Sequence, residues 1–128
     1  VNKIVTKISR FRLKGTTDAS GDATVTGDKV VRGKIKCIVL NIAALDAGAD
    51  TVITSPDDIV DQTICNLTNN GADTVLYPKI LATLNTGGAL TATGNTYEDY
   101  CIFSRLKAVI AQGGDTKAFT IDFYVEEY

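Results

Sequence analysis

The segment AFTIDFYVEEY, residues 118–128, constrains the fold most. Phe119, Ile121, Phe123 and Val125 fall on one parity; Thr120, Asp122, Tyr124 and Glu126 fall on the other. Side chains of a strand point alternately to opposite faces, so this period of two marks a strand with one apolar and one polar side. Such a strand must lay its apolar side on a second layer. The segment 105–111 carries Leu106, Ala108 and Ile110 on one parity, and Gly113, Gly114 and Asp115 separate it from the last strand. Together they read as a β-hairpin closed by a glycine turn.

The rest of the chain repeats this theme at strand length. In NKIVTKISRFRLK, Ile4, Thr6 and Ile8 share one face, while Phe11 and Leu13 lie on the opposite parity. A β-bulge near Ser9 and Arg10, or a strand covered on both sides, accounts for the switch. Its five bases, Lys3, Lys7, Arg10, Arg12 and Lys14, meet no acid before Asp18, so an arm that orders on a partner is the other reading. Turns rich in Gly and Asp flank a short strand at Ala23–Thr26. In VRGKIKCIVLNIA, Ile35, Cys37 and Val39 form one stripe; the other begins with Lys34 and Lys36 and becomes apolar at Ile38, Leu40 and Ile42. That pattern suggests a strand running from an edge into a two-sided core. TVITS stops before Pro56, a turn or single helical turn is expected near 56–61, and Thr63 to Leu67 alternates as a strand. DTVLYPKILATLN reads as one strand with an edge or bulge at Pro78. A polar loop at 86–100 follows, with a short strand expected at 89–92. Seven or eight closely spaced strands predict an all-β chain, an antiparallel β-sandwich or jelly roll. It is read as one domain, 1–128, in which 1–32 is a basic N-terminal strand or arm with its loops.

Composition narrows the chemistry. The chain has no His, so His-based triads and metal sites are excluded. There is no nucleophile elbow, dinucleotide fingerprint or phosphate loop. Asp18, Asp22 and Asp28 among glycines do not follow the EF-hand spacing, and Asp57, Asp58 and Asp61 lack partners that would split their pKa values, so both groups read as loop charges. Cys37, Cys65 and Cys101 are an odd, widely spaced set, expected as buried free thiols, with one disulfide plus one free thiol as the alternative. The expectation is therefore no enzyme, no cofactor, no metal and no catalytic residue. No apolar run approaches the ~20 residues of a membrane helix. Phe11 between Arg10 and Arg12 is the only aromatic interleaved with bases, so no specific nucleic-acid partner is expected.

The charge is unevenly laid out. Residues 1–36 hold nine Lys or Arg and three Asp, a net of +6; residues 37–128 hold four Lys or Arg and twelve Asp or Glu, a net of −8. Such asymmetry points to an oriented surface interaction.

Four motifs recur in a fixed order: GKIKCIVLNI, ADTVITSPDD, ICNLTNNGADTVLYPKIL and RLKAVIAQGGDTKAFTIDFYVEE. The order resembles that of small virion proteins of tailed bacteriophages, with a G-K-I strand, a D-V-T-I-T-type strand, a Y-Y-P-R-like element and a closing G-x-L-K-V-x-V-A-Q-G-G segment. The matching residues are 33–35, 50–54, 76–79 and 105–114, and the resemblance spans 33–128. Lys79 stands where that family has Arg, and Leu76 where it has the first Tyr. The resemblance implies a capsid cement or decoration protein, often a trimer, assembled in the host cytoplasm onto the major capsid protein and located at the capsid surface. On that reading Lys3, Lys7, Arg10, Phe11, Arg12 and Lys14 are the expected capsid contacts. The alternative is a fibre or adhesin-type module binding host glycans through the loop that carries Tyr97 and Tyr100.

Overall fold

The computed structural model describes residues 7–81 and 97–128. The chain is all-β, with eleven strands among the described residues. They are β1 (Lys7–Thr16), β2 (Ala23–Thr26), β3 (Val31–Asn41), β4 (Asp50–Ser55), β5 (Gln62–Leu67), β6 (Thr74–Leu76), β7 (Lys79–Leu81), β8 (Tyr97–Asp99), β9 (Cys101–Ser104), β10 (Lys107–Ala111) and β11 (Ala118–Glu127). One sheet runs β1-β11-β3-β6, with β9 pairing the other part of β3; the second runs β2-β10-β4-β5; β7 and β8 form a small ribbon. All pairings are antiparallel.

The core lies between the inward parities of the two large sheets, the arrangement of a β-sandwich. Leu13, Ile35, Ile38, Leu40, Ile121 and Phe123 come from one sheet; Ile53, Ile64, Ala108 and Ile110 come from the other. The count exceeds the seven or eight strands expected. Pro78 cannot donate to a ladder, and the segment read as one strand divides there into β6 and β7. The strands β8 and β9 add two more. The strand expected at 89–92, and Ile4 and Thr6, lie outside the described residues.

The closing hairpin is not formed. β10 pairs with β2 and β4, whereas β11 pairs with β1 and β3, so the two lie in opposite sheets. Each already has both edges filled, which leaves no ladder for the other. Gln112, Gly114 and Thr116 all have positive φ (58°, 90° and 53°), and they swing the chain across the sandwich. The crossing is tied to other loops. The Gly113 N–H donates to the Gly21 carbonyl at 2.8 Å, and the Asp46 N–H donates to the Gly113 carbonyl at 3.0 Å.

The parity switches also fall in an unexpected place. β1 pairs with β11 in unbroken register from Lys7↔Glu127 to Thr16↔Ala118, so no bulge interrupts Ser9 and Arg10, and Ile8 simply faces outward. The bulge is in β3. Tyr124 pairs with Cys37 but Val125 pairs with Ile35, so Lys36 is the extra residue. Before it, Val31 and Ile35 point inward; after it, Ile38 and Leu40 do, and Cys37 and Val39 are only half-buried. The two apolar parities of β3 thus reflect one buried side and a register step, not a core on both sides. Gly33, in the same strand, has no room for a side chain, because a Cβ would fall on the Glu126 carbonyl oxygen of β11.

Candidate functional site: the basic edge of the sandwich

β1 is an edge strand. One side is laddered to β11, and no strand among the described residues pairs with the other side. Residues 7–16 are therefore part of the sandwich, not a free arm. The reason is visible in the alternation, since Leu13 is buried and Phe11 packs against the core. Phe11, expected as a contact residue, thus faces inward and anchors the strand. Arg10, Arg12 and Lys14 occupy the opposite, exposed parity. Lys7 is exposed at the start of β1, and Lys3 lies outside the described residues.

The charges in this row are not equivalent. Arg12 donates from Nε to Asp122 Oδ1 at 2.7 Å and from Nη2 to Asp122 Oδ2 at 3.0 Å, a two-pronged pair across the β1–β11 ladder. These bonds raise the guanidinium pKa and hold the Asp122 carboxyl below its ordinary range. Lys7 lies 4.0 Å from Glu127, which also accepts a 2.6 Å hydrogen bond from the Ser9 hydroxyl. Arg10 and Lys14 have no ion pair among the described residues. The row therefore sets Arg12, neutralised by Asp122, between two cations that form no ion pair among the described residues, Arg10 and Lys14; Arg10 also acts on the Asp122 carboxylate at longer range.

A groove of about 190 Å³ opens beside this edge, between residues 10–13 of β1 and the segment 27–31. Phe11, Leu13, Val31 and Leu106 supply its apolar lining. The exposed Arg10, Arg12, Asp28 and Lys29 border it.

The other candidate residues scatter. Tyr97 is exposed in β8 opposite Leu81. Tyr100 is half-buried against the core, and its carbonyl accepts the Ile35 N–H at 3.0 Å. Asp18 performs turn chemistry, its Oδ1 accepting the N–H groups of Ser20 and Asp22 at 2.8 and 3.0 Å. Asp57 does more than decorate a loop. Its Oδ2 accepts the Arg105 N–H at 2.9 Å and Nε at 2.8 Å, and its Oδ1 accepts Nη2 at 2.9 Å. The hydrogen bonds from Arg105 pull its pKa down to about 2. Its partner is 48 residues away in sequence, so no local pattern announces the pair. Asp99 is likewise held below its ordinary range by Lys36 and Lys79, which both donate to it.

The three cysteines are free, but only Cys65 is buried, and burial pushes its thiol up to about 11. Cys37 is half-buried. Cys101, expected inside, is exposed: β9 alternates Ile102 and Ser104 inward, which turns Cys101 and Phe103 out. Its Sγ lies 3.1 Å from the Tyr128 hydroxyl. Among the described residues, no group of three or more His, Cys, Asp or Glu could hold a metal ion, and no helix is long and apolar enough to cross a membrane. No protein-family model and no curated protein matches the chain.

Proposed function

We propose that the protein is a structural virion protein, a cement or decoration protein that binds and stabilises the head of a tailed bacteriophage. The observation that carries the reading is the exposed basic row on a rigid edge strand, Arg10, Arg12 and Lys14, on a chain whose remainder is acidic. The motif order over residues 33–128 points to the same class. A shell-binding protein works through area, shape and charge, and a sandwich that holds its contact row on a laddered strand loses little entropy on docking. The major capsid protein is the partner, met through β1 and the adjoining outer side of the sheet. Copies of the chain assemble as trimers, and the protein resides on the capsid surface.

The direct test is co-sedimentation with purified capsids. The charge reversals Arg10→Glu and Lys14→Glu leave the backbone ladder and the Arg12–Asp122 pair in place. Together they should weaken binding at least tenfold, a loss of about 1.4 kcal/mol. Removing residues 1–14 is the wrong test, because it strips β11 of its partner from Glu127 to Thr120. Unchanged sedimentation of the double variant, or absence of the chain from purified virions by mass spectrometry, would overturn the reading.

A further inference from the structure

The open side of β1 carries more information than its charge. No strand among the described residues pairs with the outer side of β1, whose N–H and C=O groups at alternate positions are a template for one more strand. The 190 Å³ groove adjoins that edge, with the half-buried Phe11 and the buried Leu13, Val31 and Leu106 at its apolar floor and charged residues at its rim. We propose that β1 takes up an extended acidic peptide segment of its partner as an added strand, with one apolar side chain of that segment seated in the groove.

Charge selects this occupant over a second copy of the chain. Antiparallel pairing of two β1 strands about Arg12 would set Arg12 against Arg12 and Arg10 against Lys14. Like charges directly opposite one another destabilise a ladder. Arg10, Lys14 and Lys29 have no ion pair among the described residues and call for carboxylates. A strand repeats its faces every second residue, ~7 Å apart, so acids at i and i+4 match Arg10 and Lys14 on either side of the neutralised Arg12. The intervening residues of the guest then face inward, toward the side of the groove floored by Phe11, Leu13, Val31 and Leu106. Backbone hydrogen bonds supply affinity, and the alternating side chains supply register.

This inference rests on β1 being the contact strand of the proposed function, yet the two fail separately. The probe is a fluorescein-labelled eight-residue peptide alternating Glu and Val, titrated by anisotropy in low salt without capsids. Saturable binding is expected, with amide shifts in β1, and with weakening as salt is raised. Binding should fall at least tenfold for the Arg10→Glu/Lys14→Glu protein. Arg10→Gln/Lys14→Gln should lie between, and thermal unfolding checks that both variants keep the fold. A probe N-methylated at alternate backbone nitrogens keeps its charge but cannot join a ladder, and it should not bind. Absence of saturation, equal binding of the N-methylated probe, or β1 shifts that appear with dimerisation when no peptide is present would each overturn the inference. Peptide failure with capsid binding intact rejects strand addition alone; the converse rejects the capsid reading alone.

Discussion

Deleting Lys36 should cost far less than deleting Lys34, two residues before it in the same strand. In the ladder with β11, Lys36 is the residue without an opposite number. It allows Val31 and Ile35 on one side, and Ile38, Leu40 and Ile42 on the other, all to point inward at no more than 1% exposure. Without Lys36, Ile35 directly precedes Cys37, the pairs Ile35↔Val125 and Cys37↔Tyr124 become successive rungs, and regular alternation keeps these side chains inward. The loss is then one part-exposed ion pair, while Asp99 retains Lys79, and it should be at most ~1 kcal/mol. Without Lys34 the parity cannot be kept. With the bulge retained, Val31 turns out and Arg32 in; with the bulge absorbed, Ile35 turns out and Lys36 in. A fully buried Val or Ile is worth ~1.5–3 kcal/mol, and the loss is at least that before the cation is desolvated. Domains of ordinary size are stable by only ~5–15 kcal/mol, so this deletion removes a large share of the stability. Urea unfolding followed by far-UV circular dichroism measures both. Equal costs for the two deletions would refute the claim that Lys36 is the bulge residue that sets the parity of β3.

Two further outcomes follow from the side-chain environments. The Asp57 carboxyl titrates at about 2 in the folded chain, below its ordinary 3.8, so its ion pair stabilises the fold above pH 3.8 and is lost as the pH falls toward 2. Arg105→Gln should raise that titration toward 3.8 in carboxyl NMR, and an unchanged midpoint would show that Arg105 does not hold it. With a thiol reagent at pH 8, Cys101 should react first, Cys37 more slowly, and Cys65 only as the chain unfolds; equal rates for Cys101 and Cys65 would contradict their placement.

Much of the fold is legible in local pattern. The alternation of Phe119, Ile121, Phe123 and Val125 foretells which side of β11 is buried, and all four are. The short strand Ala23–Thr26 lies where its flanking Gly and Asp place it. The basic segment is legible as a strand, although its apolar residues alone do not show that Phe11 turns inward while Ile8 faces out. The parity switch in IKCIVLNI is equally visible, but a bulge and a two-sided core leave the same trace in a sequence. Only the pairing of Ile35 with Val125 and Cys37 with Tyr124 separates them. Of the candidate site, the row of bases is readable, whereas the groove beside it joins Phe11 and Leu13 to Val31 and to Leu106, residues far apart in the chain.

The sequence by itself determines that this chain forms strands, where most of them turn, and which parity of most strands is apolar, because these follow from steric preferences and a two-residue period within a few neighbours. Only the tertiary structure decides which strands share a ladder. β10 and β11 look like one hairpin, yet each finds both of its partners elsewhere, since hydrogen bonding along an edge is satisfied by whichever strand the packed layers bring alongside. The same packing leaves β1 at an edge with Arg10 and Lys14 outward, and so decides that residues 7–16 form a laddered strand whose outer side has no partner strand among the described residues.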